Sequence, residues 1–206
     1  MVGKFETARK KKKKWPWILG ICLMLIAAVL FYFFYQSDSG MPTLIVETPQ
    51  KLSASQSGEF TLDVTISDLG EARYPAMSMS ISFDASRLEF LGVEEGNIFI
   101  LSDENSSGQQ LPDWNCNTQT SNDKGLINIM YLDMTGGRNA FSRDLLAEDH
   151  NVVLRLKFRL RGSARPGDVL DLIVEDAVFA ASDETQSLAM TTNTLKTKNG
   201  RLVIGE

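Results

Sequence analysis

Four cations alternate through the stretch VVLRLKFRLRG (152–162): Arg155, Lys157, Arg159 and Arg161, with Leu156, Phe158 and Leu160 between them. Successive side chains of an extended chain point to opposite faces, so this spacing puts all four charges on one side of one strand. Such a row steers and orients an anionic partner. It also keeps an apolar edge strand from pairing with a neighbour. Both readings are open on the residues alone.

Residues that could carry bond chemistry are present, but not in a working arrangement. A hydrolytic site needs a nucleophile or base with an orienting partner. Serines and aspartates are plentiful and His150 is the single histidine. There is no nucleophile elbow, no HExxH pair and no phosphate-cradling glycine loop. One histidine leaves little room for a His-rich metal site or a Ser-His-Asp triad. Glu94 and Glu95 fall at a strand end and read as solvated surface. SDENSSG (102–108) and DMTGG (133–137) offer oxygens to Ca²⁺, but neither has the acidic spacing of an EF-hand loop. The expectation is a binding protein rather than an enzyme, with no catalytic residue, metal site or cofactor of its own.

Charge narrows the partner. Formal net charge is −5, but Lys4, Arg9 and Lys10 to Lys14 stand against one acid, Glu6, in the first 35 residues. Removing that +6 from −5 leaves −11 on the remainder. A body that acidic repels phosphate, so nucleic acid is excluded as a partner. Cys22 and Cys116 lie far apart and are not expected to pair.

The elements that must position a binding surface fall into two parts. Trp15 to Gln36 is a run of 22 residues without a charge, long enough to cross a hydrocarbon core of about 30 Å. Trp15 and Trp17 mark one interface, Tyr32 and Tyr35 the other. The preceding lysines put the N-terminus in the cytoplasm. A cleavable signal peptide would have an apolar region of about 7–15 residues and a small-residue cleavage site, whereas this run ends in the bulky FYFFYQSD. The expected layout is a basic cytoplasmic tail at 1–14, a transmembrane helix at 15–36 and a short linker at 37–42. An extracytoplasmic domain at 43–206 follows, on the cell surface or in the periplasm.

The outer domain reads as all-β. Short alternating runs recur between turn residues at 43–48, 59–67, 76–84, 87–94, 125–133, 151–161, 168–180 and 200–205, with one more expected in 111–119. FSRDLLAEDH (141–150) reads as a helical turn inside a loop. About nine strands with little helix imply a jelly-roll β-sandwich. Phe60, Leu62, Val64 and Ile66 oppose Thr61, Asp63, Thr65 and Ser67. Met77, Met79, Ile81 and Phe83 oppose Ser78, Ser80, Ser82 and Asp84. GLINIMYLD is apolar on both sides: Leu126, Met130 and Leu132 against Ile127, Ile129 and Tyr131. A loop or a partner must cover its second face.

The order of these pieces carries a family likeness. SGEFTLDVTI, MSISFDASRLEFLGVEEG, GLINIMYLDMTGG, VVLRLKFRLRGSARPGDVLDL and NGRLVIG together resemble the cohesin domain across roughly 43–206. The resemblance implies a jelly-roll module that binds dockerins, small calcium-loaded helical modules, with the calcium held by the partner. It also implies docking on one flat sheet face built from the strands at 76–84, 111–119, 125–133 and 151–161. Carried over to this chain, that face comprises Ser78, Ser80 and Ser82, then Ile129, Tyr131 and Asp133, then Arg155, Lys157 and Arg159. The expected function is a membrane-anchored, extracytoplasmic protein-binding module. The alternatives are a structural sandwich of an envelope or secretion assembly, and a carbohydrate-binding module using Trp114, Tyr74 and Tyr131 as an aromatic platform.

Overall fold

Alternation at period two builds two faces per strand, and the apolar faces must meet. A computed structural model of the chain describes residues 24–26, 40–49, 51–53, 58–100, 110–135, 139–182 and 188–206. The chain divides into two units, residues 1–40 and 41–206. In the first, Met24, Leu25 and Ile26 are helical. The rest of the expected 15–36 span and the 1–14 tail lie outside the described residues. Among the described residues no helix is long and apolar enough to cross a membrane.

Among the described residues the second unit is a two-sheet sandwich of eleven strands. They are β1 (Thr43–Val46), β2 (Leu52–Ser53), β3 (Glu59–Ile66), β4 (Ala76–Ser82), β5 (Leu88–Glu95), β6 (Asn115–Cys116), β7 (Leu126–Leu132), β8 (Val152–Leu160), β9 (Val169–Ala180), β10 (Lys196–Lys198) and β11 (Gly200–Gly205). One sheet runs β10-β1-β3-β8-β5 and the other β2-β11-β9-β4-β7-β6. The pairings are antiparallel except β1 with β10 and β11 with β2. The expected strands at 43–48, 59–67, 76–84, 87–94, 125–133, 151–161, 168–180 and 200–205 all form. The two short strands β2 and β10 were not expected. They are 2 and 3 residues long, too short for an alternating pattern to register.

The core has two aromatic groups. Phe60, Phe83, Phe90 and Phe158 pack on one another. Tyr74, Trp114, Tyr131, Phe141 and Phe179 form the second. Tyr74 is fully buried and its hydroxyl donates to the Leu188 carbonyl at 3.2 Å. A Cβ at Gly70 would stand 2.0 Å from that hydroxyl, so only glycine fits there.

The segment 111–119 departs from expectation. Its strand is reduced to β6, and Thr118–Lys124 forms a helix, α1. Asn117 caps it by accepting from the Thr120 amide at 2.9 Å, and Gly125 ends it in the left-handed region at φ 63°. TQTSNDK has no apolar stripe, so helical periodicity was absent and only the caps carry the signal. The helix has a structural task. Asn122 Oδ1 accepts from the Phe90 amide at 2.9 Å and its Nδ2 donates to the Phe90 carbonyl at 2.8 Å. One side chain thereby fills the hydrogen-bonding position beside Phe90 on β5, the outer strand of its sheet.

A 3-10 turn at Arg143–Leu145 bears out the helical turn expected within 141–150.

Candidate protein-docking face

The cation-bearing strand is β8, and it lies between β3 and β5 in the five-stranded sheet. Two expectations are corrected by this. The strand is not an edge, so its charges do not guard one. It also does not share a face with Ser78, Ser80 and Ser82, which stand on β4 in the other sheet. A strand's own pattern says which of its sides is wet. It does not say which sheet the strand joins, because that depends on the crossovers between sheets.

The cations are matched by acids on the neighbouring strands. Register sets Arg155 beside Asp63 and Glu94, and Arg159 beside Glu59 and Glu89. Arg155 Nε meets Asp63 at 3.1 Å and its Nη1 donates to the Glu95 carbonyl at 2.7 Å. Lys157 Nζ meets Glu59 at 2.7 Å and Glu94 at 3.3 Å. Arg159 meets Glu59 at 2.8 Å and Glu89 at 3.5 Å. Arg161 Nε donates to the Leu88 carbonyl at 3.2 Å. Hydrogen bonds from Lys157 and then Arg159 hold the Glu59 carboxyl below its ordinary value. Glu59 and then Glu94 push the Lys157 ammonium up. This face is a cross-strand ion-pair network whose charges are answered within the domain.

The six-stranded sheet turns a different face to solvent. Ser78 is exposed and Ser80 and Ser82 are half-exposed on the outward side of β4, where alternation put them. Ile129 and Tyr131 do not join them. Both are buried, at 2% and 5% exposure, and the outward residues of β7 are Asn128, Met130 and Leu132. The signal was one residue. Asn128, the polar member of a two-sided apolar strand, shares parity with Leu126, Met130 and Leu132 and marks their side as the wet one. Asp133, just past β7, is half-exposed; its Oδ1 accepts from the Thr135 amide and hydroxyl.

Register lays this face out as a grid across β7, β4 and β9. Leu132, Ala76 and Ala180 form one row, and Met130, Ser78 and Val178 the next. Asn128, Ser80 and Asp176 follow, then Leu126, Ser82 and Ile173. Ser80 Oγ lies 2.7 Å from Asn128 Oδ1, and Ser82 Oγ donates to Glu175 at 2.6 Å. A register shift between Ser80 and Ile81 gives β9 an extra residue, so Glu175 and Asp176 are consecutive and both exposed. Met130, Leu132 and Met134 are 49%, 53% and 85% exposed. They border a shallow hollow of about 440 Å³ that also touches Trp114 and Cys116. Small side chains along β4 between apolar β7 and acidic β9 leave a surface another backbone can approach closely.

The aromatic platform does not form. Tyr74 and Tyr131 are buried, and Trp114 packs half-buried against Tyr131 and Phe141. Burial, with Asp133 adding to it, pushes the Tyr131 hydroxyl up to about 12. Among the described residues no group of three or more His, Cys, Asp or Glu could hold a metal ion. SDENSSG lies in 101–109, outside the described residues.

A profile of the cohesin domain family matches residues 47–198. The chain belongs to the cohesin family. A cohesin domain is a non-catalytic protein-binding module. Solved cohesins share the fold at low identity. The third cohesin of ScaC from Acetivibrio cellulolyticus, in complex with the ScaB dockerin, superposes with a TM-score of 0.58 at 14% identity. That match covers 81% of this chain and 100% of the other. The OlpA cohesin of Clostridium thermocellum, in complex with Doc918, gives 0.56 at 16%, covering 80% and 99%. A non-cellulosomal cohesin from the archaeon Archaeoglobus fulgidus gives 0.51 at 14%, covering 81% and 93%. Among curated proteins, the teichoic acids export ATP-binding protein TagH of Bacillus anthracis is 23% identical over 154 residues. That stretch is 73% of this chain and spans 28% of the relative.

Proposed function

We propose that this cohesin is a membrane-tethered, extracytoplasmic receptor module that docks a dockerin-type protein on the outer face of its six-stranded sheet. The observation that carries the reading is the contrast between the two sheets. The β8 face answers its own charges, while the β9-β4-β7 face leaves methionine and leucine side chains in water beside a row of serines. Burying those side chains gives a partner its contact energy, and the serines let its backbone approach. The related cohesins solved with dockerins favour a dockerin as that partner. The tether rests on the uncharged run 15–36 and the lysines before it. No calcium ligands belong to this chain in the proposal; any calcium dependence enters through the partner.

The test is a titration of the full chain in detergent with recombinant dockerin modules from the same genome. At least one module is expected to bind with calcium and to lose binding on chelation. Met130→Asp on the receptor is expected to weaken that binding by about tenfold or more, without changing the chain's own melting temperature by more than a few degrees. Binding by no dockerin, or full binding by Met130→Asp, overturns the reading.

A further inference from the structure

Exposed sulfur in the sandwich is gathered at one spot. Among its described residues Met77, Met79 and Met190 are buried in the core, and Met41 is half-buried. Met130 and Met134 are its exposed methionines, and both border the same hollow on the proposed docking face. Leu132, exposed between them, has similar apolar bulk without sulfur. Cys116 touches that hollow as well, but it pairs with Ile129, an inward position of β7, and packs on the core. Burial pushes its thiol up, which keeps it in the protonated, unreactive form. The two thioethers are therefore the sulfurs that a dissolved oxidant meets on this face.

We infer that Met130 and Met134 form an oxidation site, with a peroxide as the oxidant, and that their modification closes the docking face. The inference rests on the docking reading above and gives that face its regulation. A sulfur lone pair attacks one peroxide oxygen, so that an S–O bond forms as the O–O bond breaks. Sulfur loses two electrons and the peroxide gains them. The second oxygen takes the proton released by the first and leaves as water. The product is methionine sulfoxide, polar where the thioether was apolar. A partner covering Met130 must then strip water from the sulfoxide oxygen, and an apolar contact offers that oxygen no donor. The side chains that supply contact energy become a desolvation cost. The buried methionines are shielded, so the fold survives the change. Sulfoxide reductases reverse it: a dithiol supplies the two electrons, and a disulfide and water leave.

The test treats the full chain in detergent with hydrogen peroxide and follows each methionine by peptide mass spectrometry. Met130 and Met134 are expected to gain one oxygen each before Met77, Met79 and Met190 do, with the melting temperature changed by no more than a few degrees. The calcium-loaded dockerin module that binds best in the titration above is then titrated again. Its affinity is expected to fall about tenfold or more, and to return after treatment with the two methionine sulfoxide reductases, one for each epimer. M130L/M134L keeps the apolar bulk and is expected to bind equally before and after peroxide. The reductase rescue reads the same change without a substitution. Faster oxidation of the buried methionines, full binding by the oxidised chain, a loss that the reductases do not restore, or a loss on oxidation of M130L/M134L overturns the inference. The docking reading fails separately: an untreated chain that binds no dockerin removes both, while equal binding before and after oxidation of Met130 leaves the reading standing and removes the inference.

Discussion

Single residues decide the electrostatics of each face. Glu59 receives both Lys157 and Arg159, and its carboxyl is held below the ordinary 4.5. A carboxyl depressed on folding stabilises the fold above its unfolded value, and that contribution is lost as pH falls through the folded value. The melting temperature is therefore expected to drop as pH falls below about 4.5, with a smaller acid-dependent drop in Glu59→Gln, read by calorimetry across an acid series. Lys157 works at the other end. Its raised value leaves its contribution intact up to 10.5 and removes it only at higher pH. Neighbour chemistry of this kind is invisible in a linear sequence. The four alternating cations were legible at once, but their acids come from positions 59–63 and 89–95, and only the register of β3 and β5 reveals the match.

Strands and the helix between them set which residues meet. Alternation fixed the buried side of β3, β4 and β8 from sequence alone, because each has one polar and one apolar side. It failed on β7, where both sides are apolar and Asn128 was the single clue. On β9 no single alternation can hold, because a bulge shifts the phase in mid-strand. Helix α1 was missed because a short polar helix is defined by its caps and not by a stripe. Its Asn122 satisfies both backbone groups of Phe90, so Asn122→Ala leaves a donor and an acceptor without their partner. That change is expected to cost about 2 kcal/mol, measured by urea denaturation. It is also expected to increase concentration-dependent association, since it uncovers a pairing position on an outer strand.

At the scale of the whole molecule the sandwich separates two surfaces by one core. The family resemblance gave the fold and the strands at 76–84 and 125–133 as one face. It assigned the strand at 151–161 to that face as well, and the topology puts it on the other sheet. The proposed docking face therefore contains the serines and the outward sides of β7 and β9, while the cations lie on the far side of the core. A binding measurement and a stability measurement should consequently respond to different residues: Met130 to the first, Lys157 to the second.

The ion-pair network also bears on the order of events in folding. Its members are remote along the chain: Arg155 is 92 residues from Asp63 and 60 from Glu95, and Arg159 is 100 from Glu59. None of these contacts exists until β3, β5 and β8 lie side by side, and exposed charges join only after the apolar inner faces have collapsed. Interactions made after the rate-limiting barrier slow escape from the native state and leave entry to it unchanged. Lys157→Met is thus expected to raise the unfolding rate in stopped-flow experiments while the refolding limb stays where it was; a slowed refolding limb would mean that the charges meet before the barrier. By this logic the network acts as a latch on a sheet that has already closed.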